Sequence, residues 1–263
     1  MRRAFTLIEL LVVIVIVSIL LSLALPALAG ARRQAKATVA IANGRTVGTT
    51  FNQYADEFGA YPFADDTKMP LNMPQPPRPG IMHVPWFPVG AIIGTSEPWH
   101  LSSLWAGLVG SAMGWQENYA AWVSPGLSTA LPEVDPGSMI FTDALEPHVS
   151  WRYSNAFIAR PKVWDADNPP AGADWPKLWK SCAPADVLFP ADKVLLWDAD
   201  LAYIHPEPKL IDDHYDHTTP MVFADGHADL LNPQKASAPV RNPFSGSQRR
   251  LHDTPNGIRG RDY

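Results

Sequence analysis

Asp198, Asp200, Asp212, Asp213, His214, Asp216, His217, Asp225, His227 and Asp229 put a dense set of metal-capable and proton-transferring side chains into one late stretch of the chain. Oxygen-rich sets of this kind suit Ca²⁺, and sets with imidazole suit Zn²⁺ and similar ions. Asp198, Asp200, His217, Asp225 and His227 are the candidate ligands, with Ca²⁺ as the candidate cofactor. A hydrolase would instead arrange His217, Asp225 and His227 around a metal-bound water. Turn chemistry is the third reading: an Asp before a Gly closes a tight turn, and acids solvate loops. There is no nucleophile elbow, no zinc-protease helix motif and no carboxylate pair at diagnostic spacing. Cys182 is the single cysteine. It cannot form an intramolecular disulfide, and no local base nominates it as a nucleophile.

These residues sit among short strands. Ser150 to Ile158 alternates partly, while Lys193 to Trp197 (KVLLW) and Pro220 to Ala224 (PMVFA) are apolar runs bounded by turn residues. They read as neighbouring antiparallel strands. Asp225-Gly226 fits a tight turn leading into a return strand over His227 to Leu231. Upstream, Val47, Phe51, Tyr54 and Phe58 recur at helical spacing, with Gly59 and Pro62 as stop signals. Gly44 weakens the middle of that stretch, so a bend or fray is expected near Asn43 to Arg45.

One more ionisable group stands alone. Glu9 lies at the start of an apolar run, and from Leu10 to Ala29 the chain has no charge. A helix over that run spans roughly the 30 Å hydrocarbon core of a bilayer. A secretory signal is shorter and has no reason to hold a carboxylate, although Ala24 to Gly30 imitates a cleavage site. An acid inside a membrane segment costs on the order of 3 kcal/mol at its centre, which points to a functional partner.

Ala4-Phe5-Thr6-Leu7-Ile8-Glu9 closely resembles the processing site of type IV prepilins and type II secretion pseudopilins. In that family a dedicated peptidase cuts just before the Phe and methylates the new amine, which implies a cut between Ala4 and Phe5; most members carry Gly where this chain has Ala4. Pro26 falls where the family has a helix-bending proline. The resemblance implies an N-terminus in the cytoplasm, an inner-membrane span, and an outer domain that is periplasmic or extracellular in a filament. Implied partners are prepilin peptidase, other pilin or pseudopilin subunits, an inner-membrane assembly platform and membrane lipid. Glu9 of one subunit would neutralise the Phe5 amine of a neighbour, so that two buried charges become one pair. A second resemblance covers Phe223-Ala224-Asp225-Gly226-His227, similar to a C-terminal processing-associated region of many prepilin-like proteins. That pattern has nine residues between a His and Asp-Gly; here ten separate His214 from Asp225 and seven separate His217 from it.

The expected fold is α+β and pilin-like, with a long N-terminal helix packed on an antiparallel sheet and long Pro- and Trp-rich loops. Residues 1–4 read as leader, 5–29 as transmembrane helix, 30–59 as its amphipathic continuation, 60–231 as the globular domain and 232–263 as a flexible basic tail. With 27 Pro, 17 Gly and 10 Trp, the domain must hold long ordered loops. The stretch from Pro70 to Pro88 is denied both helix and central strand. Residues 37–231 hold 10 Lys or Arg against 23 acids, which argues against nucleic acid as a partner. Basic residues flank the apolar run on both sides, Arg2 and Arg3 before it and Arg32, Arg33 and Lys36 after it, so they do not set its orientation. The leading expectation is therefore a non-enzymatic filament subunit. The alternatives are a membrane-anchored, metal-dependent periplasmic hydrolase and a surface-binding tip protein that uses some of its tryptophans.

Overall fold

The computed structural model describes residues 7–63, 81–84, 91–94, 105–106, 109, 118–129, 149–165, 167–168, 178, 180–204, 217–242, 246 and 248–263. One helix, α1 (Leu7–Phe58), dominates them. Its 52 residues extend about 78 Å at 1.5 Å per residue. It runs unbroken through Pro26, whose missing N–H leaves the Ser22 carbonyl without its usual partner. The Ser18 and Ser22 hydroxyls donate back to the Ile14 and Ile19 carbonyls, which keeps these polar groups satisfied within an apolar segment. Beyond Phe58, Gly59 takes φ +71°, the left-handed conformation that ends a helix at least cost with glycine.

The two halves of α1 differ. From residue 7 to residue 29 every side chain is exposed, with Leu7 at 80% and Leu23 at 69%, so no face is covered by the chain's own domain. In the second half Ala37, Ala40, Gly44, Val47, Gly48, Phe51 and Ala55 are buried on one face. The expected face is therefore turned toward the small residues: Val47 and Phe51 are in the core, Tyr54 is half-buried and Phe58 is exposed. The helix continues without a break through Asn43 to Arg45, so the expected fray is absent. Gly44 and Gly48 are contact points, since a Cβ on Gly44 would come 2.7 Å from the Trp151 ring and one on Gly48 would come 2.5 Å from Val222.

The sheet that α1 covers is an antiparallel meander in the order β3 (Trp151–Tyr153), β4 (Val194–Asp198), β5 (Thr219–Phe223), β6 (Ala228–Leu231). Strand β3 is shorter than the expected Ser150 to Ile158, because Ser154 accepts from the Ala156 N–H and starts a 3-10 turn over Asn155–Phe157. Between β4 and β5 the register shifts at Leu195, between the pairs Val194↔Phe223 and Leu196↔Val222. This bulge turns both Leu195 and Leu196 toward the helix side, and leaves Val194 and Trp197 on the other side. A separate hairpin joins β1 (Ile81–Val84) to β2 (Ala91–Gly94), so the proline-rich stretch contributes an edge strand. A short helix, α2 (Tyr119–Trp122), packs on α1. Trp105, Trp122 and Trp151 meet Val47 and Phe51 in the main core, which places these tryptophans inside.

Residues 232–263 correct the expectation of a flexible tail. Its described residues pack on the domain, and on the second face of the sheet Ala236 and Leu251 join Val194, Trp197, Met221 and Phe223 in a second cluster. Asp262 accepts from the Val194 N–H at 2.9 Å and from the Thr254 hydroxyl, and pairs with the fully buried Lys193 ammonium at 3.2 Å. The Ser154 hydroxyl and the Asn155 N–H hold Leu251 and His252. Composition made the segment look disordered, but its few apolar side chains are spaced to cover one sheet face.

Candidate functional site

The predicted ligands separate into two groups. Asp198, Asp200 and His217 lie where β4 finishes and β5 begins, whereas Asp225 and His227 lie on the β5–β6 turn at the other end. Five strand residues, about 13 Å, stand between the ends. The helix gives a second ruler. Leu201 and Tyr203, just after Asp198, pack on Ala37 and Ala40, while Gly226 approaches the Asn52 side chain, about 20 Å further along α1. The five residues do not meet in one site. Among the described residues no group of three or more His, Cys, Asp or Glu is placed to hold a metal ion. Asp212, Asp213, His214 and Asp216 lie outside the described residues.

Each group performs turn chemistry. Asp198 Oδ1 accepts from the N–H groups of Asp200 and Leu201, both at 3.1 Å, and Oδ2 accepts from the Ser124 hydroxyl at 2.7 Å. That turn holds Leu201 at φ +47°. Asp200 accepts from the Ser150 hydroxyl at 2.6 Å, and Ser150 Oγ accepts the Ser124 N–H. Two serines and two buried carboxylates thus stitch the 123–124 loop to the ends of β3 and β4. Burial pushes the Asp198 carboxyl up to about 7, even though its three hydrogen bonds favour the charged form. At the other turn Asp225 Oδ1 accepts the His227 N–H at 3.0 Å and lies 2.6 Å from His227 Nδ1, and the imidazole stacks on Phe223. The His217 carbonyl accepts from the Thr219 hydroxyl. Cys182 is buried, with its thiol directed at the Ala159 carbonyl and pushed up to about 12 by desolvation, the opposite of an activated nucleophile.

The N-terminal group has another character. Ala4 and Phe5 lie outside the described residues. Glu9 lies near the start of α1 as described, on the exposed apolar half. This half is the one helix among the described residues long and apolar enough to cross a membrane. Residues 1–25 match the family model of the prokaryotic N-terminal methylation motif. That match supports a prepilin- or pseudopilin-type protein, and the long apolar helix with the antiparallel sheet makes the α+β, pilin-like fold expected of one. Comparison with curated proteins and with solved structures yields no match.

The sequence missed two functional features. Gly44 and Gly48 set the helix-to-sheet distance, and their signal was the spacing of small residues from Ala37 to Ala55 along one face. The covering role of residues 232–263 was signalled by β4 and β5 themselves, since continuous apolar strands need cover on both faces.

Proposed function

We propose that the chain is a structural subunit, major or minor, of a type II secretion or type IV pilus-like filament. The observation that carries this reading is the division of α1: its first half, which overlaps the matched motif, buries none of its apolar side chains, while its second half carries the folded domain. A helix apolar all round is stable in lipid or in a bundle of like helices. Both environments belong to a filament subunit, first in the inner membrane and then in the filament core. Prepilin peptidase removes residues 1–4 by cutting between Ala4 and Phe5 and methylates the Phe5 amine. The N-terminus faces the cytoplasm, and the domain lies beyond the membrane, where the assembly platform passes it to neighbouring subunits. Glu9 supplies the charge that neutralises the amine of the adjacent subunit, because an amine entering an apolar bundle unpaired costs several kcal/mol.

Glu9→Val tests the assembly step. The variant is expected to insert and be cleaved, since the replacement is apolar, and to lose most of its incorporation in crosslinking of intact membranes. Undiminished incorporation would contradict the pairing.

A further inference from the structure

Three cations follow the apolar run within two turns: Arg32, Arg33 and Lys36, all exposed. Among the described residues no carboxylate pairs with any of them. Their height is set by the helix. Counted from Ala29, the last residue of the charge-free run, Arg32 and Arg33 stand about 4.5 and 6 Å higher, and Lys36 about 10 Å higher. The headgroup layer on one side of a bilayer is about 5 to 7 Å thick. The backbone at both arginines therefore stands at phosphate depth, with Lys36 a few ångström beyond that layer.

Their direction is set by the domain. Arg33 precedes Ala37 by four residues and Lys36 precedes Ala40 by four, so both lie on the stripe that the domain covers one turn later. The Lys36 ammonium reaches up to the loop at Gly126, where a Cβ would lie 3.1 Å from its Nζ and 3.3 Å from the Ala202 carbonyl oxygen. Leu201 and Tyr203 close the rim of the domain against Ala37 and Ala40. The acids of that rim, Asp198 and Asp200, are buried and accept hydrogen bonds from Ser124 and Ser150.

We infer that Arg32 and Arg33 form a lipid-phosphate clamp under the rim of the domain, binding anionic headgroups of the outer leaflet and seating the acidic domain on the membrane before assembly. The inference rests on the membrane reading of α1. Guanidinium suits the role because its fork of N–H donors matches phosphate oxygens in pairs. Lys36, whose ammonium lies beside the Gly126 loop, brings the clamp up to the domain. Leaving the bilayer for a filament breaks these contacts, so the clamp opposes premature extraction.

The test uses the full chain reconstituted in vesicles of phosphatidylcholine containing a minor fraction of spin-labelled phosphatidylglycerol or spin-labelled phosphatidylcholine. Basic residues near a membrane surface each favour anionic lipid by about 1 kcal/mol, or about fivefold. The motionally restricted lipid around the wild-type helix is expected to prefer phosphatidylglycerol by at least about fivefold, and less at high salt. R32Q/R33Q is expected to bring the ratio close to one, and R32K/R33K to retain most of it. Equal ratios in wild type and R32Q/R33Q would overturn the clamp while leaving the membrane anchor intact. No restricted lipid with either label would show that α1 is not in the bilayer, and both readings would fall.

Discussion

At Asp198 burial and hydrogen bonding pull in opposite directions, and burial wins. The carboxyl is pushed up to about 7 from an ordinary value of 3.8, so the fold prefers the neutral acid. Between about pH 4 and pH 7 the folded chain therefore keeps a proton that the unfolded chain has released, and stability falls as pH rises through that window. For a shift of this size the loss is about 4 kcal/mol by pH 7. Asp253, pushed up to about 6 by burial, acts in the same direction. His252, held well below its ordinary value by burial and by Arg249, Arg152 and Lys193, acts in the other, losing stability as pH falls below about 6.5. Asp198→Asn isolates the first contribution. Its amide keeps an oxygen for the Asp200 and Leu201 N–H groups and turns an N–H toward Ser124. Relative to wild type, the variant is expected to gain stability progressively from pH 4 to pH 7 in urea melts; a constant difference would contradict the assignment. The residue types of this site were legible as metal-capable or turn-forming, and Asp198 and Asp225 make turn hydrogen bonds. Whether the five candidates converge was not legible, because convergence is set by the fold, which divides them by the length of β4.

The helix α1 shows how one residue type acts oppositely along one element. A Cβ on Gly30 would meet nothing within 4 Å, whereas one on Gly44 would strike Trp151 and Val222. Gly→Ala gains about 1 kcal/mol of helix propensity where space is open. Gly30→Ala is therefore expected to be neutral or mildly stabilising. Gly44→Ala is expected to cost about 1 to 3 kcal/mol through overpacking against a rigid ring. Thermal melts of the full chain in detergent compare the two, and equal shifts would refute the close approach. The helix, its end at Phe58 and the order of the late strands were readable from periodicity and turn residues. The unbroken passage through Gly44 was not, because propensity describes an isolated helix, and here Trp151 and Val222 pack against the backbone where it is weakest in isolation.

At the scale of the whole molecule, the sheet is a middle layer, with the second half of α1 on one side and Ala236, Leu251 and Tyr263 of the C-terminal segment on the other. The buried Lys193–Asp262 pair fastens that outer layer. Removing one partner of such a pair leaves an uncompensated charge and costs about 3 to 5 kcal/mol, while replacing both is far milder. Asp262→Asn is expected to lose that much in denaturant melts, and Lys193→Met/Asp262→Asn to recover much of it; a double variant as weak as the single would contradict the pairing. The layer escaped composition-based reading because six Lys or Arg among its residues resemble a solvated tail, while the few residues that bury, such as Ala236 and Leu251, carry no periodic signal. The membrane half of the molecule was the most legible, since its motif and its length act without long-range packing. The central claim, that the chain is processed and assembled as a prepilin-type subunit, is tested most directly by N-terminal mass analysis of the protein isolated from native membranes. The expected result is a chain beginning at N-methylated Phe5. A chain beginning at Met1, or one cut after the apolar run to begin at Gly30 or Ala31, would contradict it.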